Sequence, residues 1–212
     1  MPRAGLTPSM VAAVTLELID EVGLEQFSMR KLGLRMGVDP MAAYRHFRNQ
    51  EDLFDAVADQ LFAEISLDDL PWDGGWRALA EHYCLRLRDV LLSHPRAVTV
   101  FATRPVRSKA SIDTGVRMIE IFAAEGFTPA DGLRIARSLR EFTIGHALSL
   151  ATIQLGSQTR SRKPEPGAPS YNLLAHAADA TQIDDHFEIT IVAMLNGFDL
   201  LRRRPSSTSS DQ

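Results

Sequence analysis

The sequence predicts an all-α fold in two parts: a compact unit of three short helices, then a connecting helix and a larger helical body. Three observations predict it. Apolar residues recur at helical spacing along nearly the whole chain, with no alternating strand pair and no internal repeat. Helix start and stop signals recur, with a Thr, Ser, Asp or Asn cap before five of the helices and a glycine or proline break after several of them. At 212 residues and 45% apolar, the chain can bury a sizeable core.

The first helix starts at Thr7-Pro8, a threonine cap followed by proline where its missing N–H costs nothing. Met10, Val14 and Leu18 are expected on its apolar face, with Val11 and Val22 beside them, and Gly23 ends it. Ser28 caps a second helix running to Met36, closed by Gly37. Asp39-Pro40 repeats the cap-plus-proline signal for a third helix, Met41 to Phe47. Asn49 caps a fourth, with Glu51 and Asp52 in its first turn and an apolar stripe of Leu53, Val57, Leu61 and Ile65, widened by Phe54. Residues 66–75 read as a loop, Trp76 to Leu92 as a helix ended by Ser93-His94-Pro95, and Thr103-Arg104-Pro105 as a second break. Ile112 to Ala124 is helical, and Thr128-Pro129 caps a long helix to Leu155. Gly156 to Ser170, with Arg160, Arg162 and Lys163, reads as a surface loop. Two helices near 171–180 and 184–203 follow, and Pro205 to Gln212 reads as a disordered tail. The expected division is 1–49, a connecting helix 50–65, a body 66–204 and the tail 205–212.

Composition narrows the function classes. The formal net charge of −4 excludes a wholly basic nucleic-acid coat protein but not a locally basic site. The single cysteine, Cys84, allows no intramolecular disulfide and reads as a small core residue in a reducing cytosol. No segment reaches the roughly 18 continuous apolar residues of a membrane span, and no signal-peptide core follows the N-terminus. A cytoplasmic protein without a membrane partner is expected. No glycine-rich phosphate loop, metal-ligand cluster or nucleophile elbow argues for an enzyme, and no cofactor or metal is expected.

The stretch Ser28 to Arg48 has the layout of a helix-turn-helix: a helix, a tight turn at Gly37, and a second helix able to enter a major groove. It carries Arg30, Lys31, Arg35, Arg45 and Arg48 against Asp39 alone. Such a cationic patch on an acidic chain suits phosphate contact, where neutralised phosphates release counterions. A helical hairpin whose basic residues only solvate one face is the plainer alternative.

Gly37-Val38-Asp39-Pro40-Met41-Ala42-Ala43-Tyr44-Arg45-His46-Phe47 resembles the signature of the tetracycline-repressor (TetR) family, in which a glycine-valine turn leads to a tyrosine-x-histidine-phenylalanine type ending. Gly23 to Leu32 resembles the family's entry to its second helix, and Asn49 to Leu53 the start of its fourth. The resemblance implies a repressor that binds palindromic double-stranded operator DNA as a homodimer and is released by a small-molecule inducer. It places Met41, Ala42, Tyr44 and Arg45 on the recognition helix, with Arg45 suited to guanine O6 and N7. Tyr44 and His46 fall to phosphates, and Ser28, Arg30, Arg48 and Gln50 also face DNA. Leu32, Val38 and Phe47 belong to the core of the small unit. Two positions depart from the family: Ala43, where leucine is usual, and Gln50, where a phosphate-contacting lysine is usual.

More scattered similarity covers the body, from Trp76 to Pro105, at Phe142 to Gly145, and around Asn196-Gly197-Phe198, and resembles the regulatory domain of the tetracycline repressors. It implies a ligand cavity, with Tyr83, Leu87, Val100, Thr103, Arg104, Ile112, Val116, Phe142, His146 and Ser149 as candidates, though the apolar ones serve equally as core and His146 reads first as a core histidine. Where those repressors hold a magnesium–drug chelate with histidine and glutamate, this chain has Val100 and Ser149, so an inducer other than magnesium–tetracycline is expected. A four-helix dimer bundle is implied from the last long helices. Its expected residues are Gly145, Ala147, Ala151, Phe187, Ile191, Met194, Leu195 and Phe198, with burial in their own subunit as the alternative.

Overall fold

The computed structural model describes residues 6–104, 106–156, 172–173, 176–177 and 185–202. Its helices are α1 (Pro8–Val22), α2 (Met29–Met36), α3 (Gln50–Ala63), α4 (Gly75–Ser93), α5 (Val98–Thr103), α6 (Lys109–Ala124), α7 (Pro129–Gln154) and α8 (Asp185–Phe198), and no strand occurs among the described residues. Residues 172–173 and 176–177 are helical. The rest of the expected 171–180 helix lies outside the described residues, as do Arg160, Arg162, Lys163 and the tail from Pro205.

Local chemistry sets most boundaries where the sequence places them. The side chains of Thr7, Ser28, Asn49 and Thr128 each accept a first-turn amide, from Met10, Lys31, Asp52 and Asp131 respectively. Gly37 closes α2 in the left-handed region at φ 66°, a conformation that glycine adopts without a Cβ penalty. Gly75 is required twice over. Its φ is 81°, and a Cβ there would meet Glu125 Oε1, which accepts from the Trp76 amide at 2.7 Å and so caps α4 from across the fold.

Four expectations change. The third helix is a 3-10 turn, Pro40–Arg45, rather than an α-helix from Met41 to Phe47. Asp39 tightens it, accepting from Met41 N on its side chain at 2.7 Å and from Ala42 N on its carbonyl at 2.8 Å. The buried face of α1 is Val11, Ala12, Thr15, Leu16, Leu18 and Ile19, while Met10 is 46% exposed and Val14 half-buried. Thr15 could sit inside because its hydroxyl donates to Val11 O at 2.7 Å, satisfying a polar group that a hydropathy pattern skips. The short helix α5 fills the stretch between the two expected breaks, and α6 begins at Lys109, ahead of Ile112, because Ser108 caps it.

The small unit packs α1 against α3 and α2, with Leu32, Leu53 and Phe47 buried and Val38 half-buried. In the body, α4 and α7 make the most extensive pairing: Leu79, Tyr83, Leu87 and Leu91 of α4 and Ile135, Leu139 and Ala147 of α7 are buried at helical spacing. Trp76, Phe122 and Phe127 close one end, with Trp76 and Phe127 ring centres 4.8 Å apart. Cys84 is buried in this core, and desolvation pushes its thiol up to about 12, so it is an inert packing residue.

Candidate functional site

Two groups of side chains stand out, one on the small unit and one in the body. On the small unit, Met41, Tyr44, Arg45 and His46 of the 3-10 turn, Arg30 of α2 and Gln50 at the start of α3 are exposed, and Ala42 is half-buried. Ser28 spends its hydroxyl on the cap of α2, 3.3 Å from Lys31 N. Leu34 of α2 is also exposed, at 73%, which nothing in the apolar pattern foretold.

The five cations of this region are not equivalent. Arg35 pairs with Glu17 (3.6 Å) and with Glu21, tying α2 to α1. Arg48 forks onto Asp52, with Nε at 2.7 Å from Oδ2 and Nη2 at 3.1 Å from Oδ1. This pair raises the Arg48 pKa and lowers that of Asp52, the hydrogen bond being the leading cause in both. Lys31 caps Gln26 O at 2.8 Å. Among the described residues, Arg30, Lys31 and Arg45 have no ion-pair partner, so they carry the uncompensated charge. A count along Ser28–Arg48 misses this, because Glu17, Glu21 and Asp52 lie outside that stretch.

A cleft of about 390 Å³ opens in the body. Helix α6 lines it with Ser111, Ile112, Thr114, Gly115 and Met118, and α7 with Leu133, Ala136, Arg137, Arg140 and Glu141; Phe62 of α3, Tyr83 of α4 and Val106 complete it. Of the sequence-named ligand residues it brings together Tyr83 and Ile112. Leu87 and Val100 are packed in the core, and Val116 and Thr103 are exposed away from the cleft. Phe142 stacks on Phe187 at 5.5 Å, and His146 is buried against that same ring at 4.6 Å. Ser149 is on an exposed face. The neighbours that sequence reading missed, Arg137, Arg140 and Phe62, follow the helical spacing of α7 and α3 but sit on a chain with no local marker of a cavity.

Arg104 has a different role from the expected one. It reaches Glu51 and Asp55 (3.8 Å) on α3, its guanidinium 5.8 Å from the Phe54 ring centre. One turn on, Asp59 Oδ1 accepts from the amides of Arg107 and Ser108 at 3.2 and 3.1 Å. Glu51, Asp55 and Asp59 thus form one acidic edge of α3 that holds the α5–α6 connection. At the other end of α3, His94 bridges Asp20 of α1 (2.5 Å) and Glu64 (2.8 Å), and its pKa is raised, chiefly by the Asp20 hydrogen bond.

The expected dimer residues divide between two faces. Ala147, Ala151, Phe187, Ile191 and Leu195 are buried within their own subunit, and Met194 and Phe198 are half-buried. Gly145 is exposed. The outward apolar residues of these helices include instead Leu148 (40%) and Ile153 (45%) of α7 and Ile189 (67%) and Val192 (44%) of α8. Sequence periodicity located an apolar face on α8, but it could not tell which apolar positions α4 and α7 would cover.

No helix among the described residues is long and apolar enough to cross a membrane. Residues 12–57 match the family of bacterial regulatory proteins named tetR, and residues 70–201 match the tetracyclin repressor-like C-terminal domain. The chain is 30% identical over 206 residues to the tetracycline repressor protein class G of Vibrio anguillarum, covering 93% of this chain and 95% of that one. A variant of TetR from Acinetobacter baumannii AYE, solved in complex with minocycline, is similar at TM-score 0.79 and 25% identity, covering 97% of this chain and all of that one (100%). A possible TetR family regulator from Streptomyces coelicolor A3(2) is similar at TM-score 0.80 and 25% identity, over 92% of this chain and 100% of the other. A helix-turn-helix head, a helical body with a cleft and these matches along both together place the chain in the TetR family: it is a ligand-responsive, DNA-binding transcriptional repressor with a tetracycline-repressor-like C-terminal domain, and not an enzyme.

Proposed function

We propose that this repressor binds a palindromic operator as a cytoplasmic homodimer and is released by a small-molecule inducer other than magnesium–tetracycline. The observation that carries the reading is the shared helix α3. Its first residue, Gln50, adjoins the reading turn, its acidic edge holds the α5–α6 connection, and its Phe62 lines the cleft. A ligand wedged against α6 acts on the same helix that sets the angle of the head. The head, residues 1–49, contributes Arg30, Lys31 and Arg45 to phosphates and base edges, with Met41, Ala42, Tyr44 and His46 beside them. Arg48 is engaged by Asp52 and does not replace the lysine usual at Gln50.

Homodimerisation is supported by the outward apolar residues Leu148, Ile189 and Val192, next to Gly145 and Gly197, around which a Cβ would meet open space. Two heads then present their turns about one DNA turn apart, roughly 34–36 Å, to successive major grooves. The inducer reading rests on the donor set. Val100 offers only a buried alkyl group and Ser149 stands off the cleft, so the magnesium ligands implied by the tetracycline repressors do not fit this chain.

Selection of bound fragments from genomic DNA tests the proposal. An enriched inverted repeat whose half-sites lie one turn apart, with two chains per fragment, is the expected result. No enrichment, or one chain per site, contradicts it.

A further inference from the structure

We infer that the body cleft takes an anionic, largely apolar small molecule, held as a metal-free anion by Arg137 and Arg140. The inference rests on reading the cleft as the inducer site and goes on to specify the charge of its occupant.

Both arginines project from α7 into the lining, and among the described residues neither has an ion-pair partner. Elsewhere in the body, Arg77, Arg86, Arg88, Arg104, Arg134 and Arg202 are each paired with an acid, and the described arginines without one, Arg96, Arg107 and Arg117, lie outside the cleft. Arg140 is held in place instead of neutralised: it is half-buried, with its guanidinium 5.0 Å from the Phe101 ring centre, an orienting contact that leaves its N–H fork available. Among the described residues, Glu141 is the one carboxylate in the lining and no ion pair joins it to either arginine, so this lining carries a net positive charge.

The remaining lining supplies the apolar part and one donor. Ile112, Met118, Leu133 and Phe62 give it an apolar wall, and about 390 Å³ falls within the roughly 300–1,000 Å³ of small-molecule sites. Tyr83 is 7% exposed, and its hydroxyl makes no hydrogen bond among the described residues. Desolvation pushes it up to about 12, so at neutral pH it donates a proton and does not oppose an anion. Two guanidiniums and a phenol on an apolar wall match a carboxylate, or an acidic phenol, on an aromatic frame. A metal chelate would need hard oxygen ligands, and among the described residues the lining offers a single carboxylate.

The test uses three probes of one shape: 2-naphthoate, 2-naphthamide and 2-naphthylmethylammonium, titrated calorimetrically at pH 7.5 in buffer containing a chelator. The acid is expected to bind at least tenfold more tightly than the amide, and the ammonium weakest. The substitutions R137Q and R140Q should each erase most of the preference for the acid, and E141Q should increase it. Thermal unfolding checks that each variant folds, and Arg137, being exposed, is the safer of the two. In G115W the cleft is plugged, since a side chain at Gly115 meets open space, and all binding should be lost. Equal affinity for acid and amide that G115W abolishes overturns the anion inference and leaves the ligand site standing. Absence of binding by all three probes, or binding that G115W leaves unchanged, overturns both.

Discussion

The head and the body of this repressor are built from the same helices, caps and apolar stripes, yet their functional groups assemble in opposite ways. In the head, the groups that face outward lie between Ser28 and Gln50, on one helix, one turn and one helix start. In the body, the cleft draws on α3, α4, α6 and α7, whose contributing residues run from Phe62 to Glu141. A short local stretch can be read from its own sequence; a cavity is the space left when distant helices pack, and no one of them encodes it. The two regions meet on α3, which belongs to both.

Buried leucines in each region give the largest way to test that division. Leu53→Ala on α3 and Leu87→Ala on α4 remove equally buried side chains, and each should cost about 2–5 kcal/mol in urea unfolding. They should separate on DNA. Leu53 packs under the reading head, so its folded fraction should bind DNA more weakly, whereas the Leu87 variant should keep its affinity per folded molecule. Equal effects on DNA would mean that the two regions do not act as distinct units.

The contrast also explains what could be read early. The caps Thr7, Ser28, Asn49 and Thr128 and the glycine at 37 each act within a few residues, and each boundary fell where expected. The reading turn differed because Asp39 bonds forward to Met41 and Ala42 and tightens the backbone. The charge of the head was visible but its pairing was not, since Arg35 and Arg48 are answered by acids on α1 and α3. In the body, Val100 and Leu87 shared the apolar character of true lining residues, and only packing sorted them into core. Arg104 matched the expected ligand set in type, but its partners are on α3.

The seam between the regions offers a smaller, pH-dependent test. His94 at the end of α4 bonds Asp20 and Glu64, and its folded pKa is raised above the unfolded value. Its contribution is therefore fully present below about pH 6.5 and is lost as pH rises through the raised folded value. His94→Gln should cost about 1–2 kcal/mol at pH 6. The difference from the unsubstituted protein should shrink by pH 9, as read by paired urea titrations. A gap that is constant or grows with pH would show that the bridge does not depend on a charged imidazole.

The smallest effect belongs to the cleft wall. Gly115 lies inside α6 with open space where a Cβ would go, so Gly115→Ala should stabilise the protein by about 0.5–1 kcal/mol in thermal unfolding. Destabilisation instead would mean that the helix needs a glycine there for a reason that packing does not supply.

The central claim is that the head reads DNA with the cations left uncompensated by nearby acids. Fluorescence anisotropy on the selected operator fragment, across a salt series, tests it most directly with Arg45→Ala beside Arg48→Ala. The unsubstituted protein should prefer the operator to random DNA by about a thousandfold or more. Arg45→Ala should lose roughly 1–3 kcal/mol of that binding. Arg48→Ala should change it little, because its guanidinium is already held by Asp52. Equal losses from the two substitutions, or no preference for the operator in the unsubstituted protein, would contradict the account.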